Sequence, residues 1–166
     1  NTRAMFPLDD SSIAPERVLT AIIEQVKDQY DYILIDCSPH LDLQMLNALV
    51  ASERVIIPTQ AHFLDTVGLN DTIEIIRKVQ QSLNPNLRQV DILLTMFMPR
   101  TVLNQISRQN VVERYGEQMH IFSQPIDYSI KVAEHPAVGI SLLEYAPKNA
   151  AALSYRAAAE EVMRNG

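Results

Sequence analysis

Apolar residues along this chain alternate between a helical and a strand-like spacing. Val18, Leu19, Ile22, Ile23 and Val26 share one helical face behind Pro15, which predicts a helix over 15–29. Tyr32-Ile33-Leu34-Ile35 is a short continuous apolar run ending in Asp36, the pattern of a buried strand over 32–36. A helix near 42–52 carries Leu43, Leu46, Leu49 and Val50, and Arg54-Val55-Ile56-Ile57-Pro58 reads as a second strand closed by a proline. Leu69, Ile73, Ile76, Val79 and Leu83 mark a long helix over 66–83 that Asn84-Pro85-Asn86 stops. A third strand covers 90–96, a helix 103–115 and a short fourth strand 119–122. A helical turn near 130–135 and an alanine-rich helix over 148–164 complete the chain, and residues 1–14 read as loop. Strands alternating with helices at this spacing predict right-handed βαβ units. The expected fold class is α/β, a three-layer sandwich with a mainly parallel sheet, in a single domain over 1–166.

The 166 residues have room for one sizeable core, and 47% hydrophobic with 20% charged residues is an ordinary globular balance. No apolar run reaches membrane-spanning length, so a membrane is not an expected partner. The one cysteine, Cys37, excludes an internal disulfide and suits a reducing cytoplasm; next to an apolar strand it is expected to be a packed, inert thiol. His40, His62, His120 and His135 lack metal-ligand spacing and are read as non-ligands. A net charge of −6 argues against a strongly basic nucleic-acid binder. The acid is uneven, however. Residues 1–36 carry 3 basic against 7 acidic side chains, whereas 86–114 carry 4 basic against 2 acidic, leaving a local basic face.

Candidate chemistry centres on Tyr30-Asp31-Tyr32-Ile33-Leu34-Ile35-Asp36-Cys37-Ser38-Pro39. An apolar strand that delivers a carboxylate to the carboxyl edge of a parallel sheet, followed by a proline-bearing turn, is the Walker B pattern. There the Asp holds Mg²⁺ against nucleotide phosphates. The plainer alternative is a core strand whose last residue caps the next helix. No phosphate-cradling P-loop accompanies it: Gly68, Gly116, Gly139 and Gly166 have no Gly-x-x-x-x-Gly-Lys spacing, and no glycine precedes a lysine.

With the later segments in place, the chain resembles the C-terminal part of a ParA/Soj-type partition ATPase, a MinD-related family. The resemblance runs over 30–166 through the Walker B segment, Leu46-Asn47-Ala48-Leu49-Val50-Ala51-Ser52, Val55-Ile56-Ile57-Pro58-Thr59-Gln60 and Gly68-Leu69. It continues through Asn84-Pro85, Leu93-Leu94-Thr95-Met96, Arg100-Thr101, Lys131-Val132-Ala133-Glu134 and Tyr145-Ala146-Pro147-Lys148. The fold it implies is P-loop NTPase-like but incomplete, because the family's phosphate loop has no counterpart here. Ser38 stands where a second proline is commoner, His40 replaces a small polar residue, and Pro125 is offset before Tyr128-Ser129, where the family's adenine-side turn falls.

The resemblance implies ATP and Mg²⁺ as cofactors of the intact family protein, neither held tightly by this chain alone. It makes Asp36 the magnesium carboxylate, with Pro39 shaping the loop that leaves it. Thr59 falls near nucleotide or dimer contacts, with plain packing equally open. Thr95 and Met96 fall near adenine, with core as the alternative for Met96. Arg100 and Lys131 match positions where the family sets basic residues against DNA phosphates, and Glu134 reads as the partner of a neighbouring base rather than a catalyst. The implied partners are a second copy in a homodimer, a ParB-like centromere-binding adaptor and non-specific DNA, in the cytoplasm or on the nucleoid. The chain is then a catalytically silent piece of a DNA-partition ATPase, as Asn1 in place of Met suggests, with 32–36 left as an unpaired edge. The alternative is a complete, non-catalytic interaction module that keeps the ParA-like fold.

Overall fold

The computed structural model describes residues 13–38, 40, 42–61 and 65–165, at 65–67 by backbone alone. Two compact units emerge, one from the described parts of 1–55 and 73–89, the other from those of 56–72 and 90–166.

The first unit opens with a 3₁₀ turn at Pro15–Arg17, α1 (Val18–Glu24) and a second 3₁₀ turn at Lys27–Gln29. The helix expected over 15–29 is therefore broken into short pieces. Backbone bonds tighten to the three-residue span at its end, with Gln25 N donating to Ile22 O at 3.2 Å and Val26 N to Ile23 O at 3.0 Å. The second helix, α2 (Leu43–Ala51), starts at Asp42, whose carboxylate accepts from Gln44 N and Met45 N, both at 3.0 Å. Two asparagines lock the unit. Asn47 donates to Pro15 O at 2.7 Å and accepts from Leu19 N at 3.0 Å, joining α2 to α1. Asn84, buried, donates to Leu49 O at 2.9 Å and Ser52 O at 2.7 Å, satisfying carbonyls at the end of α2.

Residues 32–36 form no strand. A strand is stable only when a neighbour takes up its N–H and C=O groups, and among the described residues none pairs with this backbone. The side chains are correspondingly bare, with Leu34 91% exposed. The apolar run is real, but the buried strand read from it is corrected here to an exposed, irregular stretch.

β1 (Arg54–Gln60) and α3 (Asp65–Ser82) run from one unit into the other. β2 (Gln89–Thr95) and β3 (His120–Ile121) complete a sheet of order β1-β2-β3. β2 and β3 are parallel, Asp91 opposite His120. β1 runs the same way as β2, since Glu53 accepts from Arg88 at one end while Ala61 N donates to Thr95 O at the other. Helices flank this parallel sheet, as an α/β chain requires. α4 (Val102–Tyr115) turns Asn104, Ser107, Val111 and Tyr115 inward at three- and four-residue steps. α5 (Ile130–Val138) outruns the short turn expected near 130–135 and ends on Gly139, whose φ of +74° suits glycine. A further short helix, α6 (Leu142–Tyr145), leads into α7 (Ala150–Arg164), capped by Asn149. α7 lays Ala158 on Phe122 and Ile126, and Ala151 and Ala152 on Leu142.

Candidate functional site

In the second unit, the carboxyl end of β2 is extended by hydrogen bonding to the segment that enters α5. Ile126 N donates to Leu94 O at 2.8 Å, Phe97 N to Ile126 O at 2.9 Å and Tyr128 N to Phe97 O at 2.8 Å. Between these bonds one extra residue is accommodated at Met96, whose φ of +50° lies in the left-handed region that non-glycine residues seldom enter, and the backbone continues parallel to its neighbour at Phe97. Asn104, buried, holds the turn: its Oδ1 accepts from Met98 N at 2.7 Å and its Nδ2 donates to Ala61 O at 3.0 Å. The Met96 side chain is thereby held out, 47% exposed.

Beside it opens a groove of about 440 Å³, walled by Thr95 and Met96, by Tyr128 and Ile130 at the start of α5, and by Tyr155 of α7. Asp127 and Ser129 add polar atoms, and no Lys, Arg or His is among the lining residues. The lining is mainly apolar and brings no cation to pair with a phosphate. Ser129 is partly engaged already, its hydroxyl accepting from Lys131 N at 3.2 Å.

Thr95 and Met96 are therefore brought together, at the end of a parallel strand where ligands of such sheets gather. Plain core is not the role of Met96, which lines the opening. Thr59 is buried on the inward face of β1, with its hydroxyl 3.5 Å from Ile57 O. Arg100 is exposed in the turn before α4. Lys131 is exposed in the first turn of α5 but already engaged: Nζ lies 2.8 Å from Glu134 Oε2 and 5.4 Å from the Tyr145 ring centre. The hydrogen bond from Lys131 and then that from Tyr145, at 3.1 Å, hold the Glu134 carboxyl below its usual range; the same contact to Glu134 raises Lys131. Glu134 is thus the partner of a base. Asp36 belongs to the first unit and is exposed. Pro39 lies outside the described residues. Cys37 is exposed rather than packed, because the stretch around it has no strand to bury it. Partial desolvation, then the charges of Asp36 and Asp42, push its thiol up.

Tyr155 and Ile130 had no part in the sequence-based site. The legible signal was an aromatic side chain on an otherwise alanine-rich helix, but its partner across the groove is reached only through the fold.

A parallel sheet with flanking helices defines the class, an α/β fold of the P-loop NTPase type. A model of the AAA domain, AAA_31, matches residues 5–89, and the chain belongs to that family. The chromosome-partitioning ATPase Soj of Thermus thermophilus is 37% identical over 145 residues, covering 87% of this chain and 57% of Soj. Cobyrinic acid a,c-diamide synthase from Mycobacterium smegmatis, solved with bound ADP and magnesium, superposes with a TM-score of 0.72 at 25% identity. That likeness covers 91% of this chain and 54% of the synthase. The cell division ATPase MinD of Pyrococcus furiosus shares the fold, with a TM-score of 0.71 at 21% identity over 91% of this chain and 59% of MinD. The chain spans 61% of the length of some curated relatives and 48% of others. Among the described residues, no helix is long and apolar enough to cross a membrane.

Proposed function

We propose that this chain is the larger, C-terminal portion of one ATP-dependent DNA-partition ATPase domain acting in the cytoplasm. The groove at Thr95 and Met96 carries the reading. An apolar cleft at the end of a parallel strand, without a lining cation, suits a purine base and leaves the phosphates to be held by other groups. Tyr128 and Tyr155 offer ring surface for stacking, and Thr95 a hydroxyl for orientation. The kinship with Soj supports the partition assignment.

Mg²⁺ fits this chain poorly. A hard dication takes about six oxygen ligands, whereas Asp36 is one exposed carboxylate outside any strand. Among the described residues, no three His, Cys, Asp or Glu side chains gather for a metal. Phosphoryl transfer rests on phosphate positioning, and no glycine pair here has P-loop spacing, so the polypeptide alone turns over no ATP. Arg100 and Lys131 are the cations assigned to DNA phosphates, contacts that neutralise backbone charge and read no sequence. A homodimer and a ParB-like adaptor complete the assembly. The exposed Asp36 favours a second reading, a non-catalytic interaction module.

Equilibrium dialysis of the 166-residue chain against adenosine and ATP tests the first reading. Adenosine and ATP are expected to bind alike, because the groove engages the ring, and Tyr128→Ala and Tyr155→Ala are expected to weaken both. Absence of binding by either compound overturns the reading of the groove as a base site. ATP turnover above background that disappears in Asp36→Ala overturns the silent-fragment reading.

A further inference from the structure

Asp91, His120 and Glu161, distant in sequence, meet inside the second unit. Asp91 has no exposed surface, and a carboxylate so placed needs partners. The parallel register sets it opposite His120. His120 Nε2 lies 2.9 Å from Glu161 Oε1 on α7, while Nδ1 lies 3.3 Å from Asp91 Oδ1 on β2. Nδ1 is buried and makes no hydrogen bond, so its contact with Asp91 is electrostatic. Glu161 also accepts from Ser123 N at 3.0 Å and Ser123 Oγ at 2.5 Å. From α4, Arg108 donates to Ser123 O at 3.0 Å, and Asn165 Nδ2 lies 3.4 Å from His120 Nε2. Burial pushes the Glu161 carboxyl up, but the Ser123 bonds and His120 outweigh it and leave the group below its usual range.

A neutral imidazole carries one N–H. Set between two carboxylates, it must turn a lone pair toward one of them, whereas the imidazolium presents a positive edge to both. The number of protons on this cluster therefore changes the force between α7 and the sheet. α7 also carries Tyr155, a wall of the groove. Between the two positions, Ala158 packs on Phe122, against which the His120 ring is tilted at 5.3 Å.

We propose that Asp91, His120 and Glu161 form a proton-dependent latch that holds α7 against β3 and so sets the Tyr155 wall of the groove. The latch is tightest with the imidazole charged and Glu161 ionised. With the ring neutral, one carboxylate faces a lone pair and the end of α7 loosens. As pH falls below the carboxylate range, Glu161 gains a proton and loses its hold on the ring and on Ser123. The device depends on the groove wall alone and goes beyond the nucleotide reading.

The test is an NMR titration of the full chain from about pH 5 to 8, the interval in which histidines change charge. It follows the His120 ring, the Tyr155 ring and the amides of 158–164. Tyr155 and these amides are expected to shift with the midpoint of His120. Their exchange, corrected for intrinsic base catalysis, is expected to be about tenfold faster on the neutral-ring side. His120→Gln and Glu161→Gln should flatten the Tyr155 response. Tyr155 signals that stay flat through the His120 midpoint overturn the latch, as does an unchanged response in His120→Gln. If either variant fails to fold, agreement or disagreement of the midpoints in the unaltered chain decides by itself.

Discussion

Replacing Asn104 by alanine tests how the groove is built. This side chain is 1% exposed and makes two bonds, accepting from Met98 N and donating to Ala61 O. Each contributes about 1 kcal/mol net, and each stranded buried partner costs about 1–3 kcal/mol. Some of that is recovered as the turn relaxes, so Asn104→Ala is expected to lower stability by about 2–4 kcal/mol. Asn104→Asp sharpens the test. It keeps an acceptor for Met98 N but sets a carboxylate oxygen against the Ala61 carbonyl. Its loss is expected to exceed that of alanine at neutral pH and to shrink as the new aspartate is protonated. Urea unfolding followed by circular dichroism reads both, with an unchanged denaturant slope as evidence that the folded state is otherwise intact. The reasoning fails if both variants stay within about 0.5 kcal/mol of the parent, the range of an ordinary surface substitution.

Met96 sits at a φ of +50°, so Met96→Gly should be tolerated, whereas Met96→Val should cost about 1–2 kcal/mol in the same unfolding assay, because branching at Cβ crowds the left-handed backbone. The Glu161 carboxyl is held below its ordinary value of 4.5, so its stabilisation is present above that pH and is lost as pH falls through the lowered value. Thermal melts across this acid range should show a slope in the parent that Glu161→Gln lacks. In DNA titrations with the intact protein, Arg100→Ala and Lys131→Ala are each expected to flatten log affinity against log salt by about one unit; slopes equal to the parent's would remove these residues from the interface. The Lys131 ion pair with Glu134 is exposed, so Glu134→Gln should move stability by less than about 1 kcal/mol.

Local pattern alone located most of the regular elements. The β-branched runs at 54–58 and 90–96 became strands, and the apolar stripe Leu69, Ile73, Ile76 and Val79 became the buried face of α3, because period and propensity are properties of neighbours along the chain. The order of motifs likewise carried the family. What depended on distant partners stayed hidden. Residues 32–36 have every local mark of a buried strand, yet burial and pairing need a second backbone alongside, and none of the described residues supplies it. Met96 was legible as the end of a strand but not as a left-handed turn, which the bonds from Phe97, Tyr128 and Asn104 impose. His120 stands in the sequence without neighbouring ligands. It gains two carboxylate partners because parallel pairing sets β3 beside Asp91 and the packing of α7 returns Glu161 to the same place, and contacts closed over such separations are fixed by the whole fold.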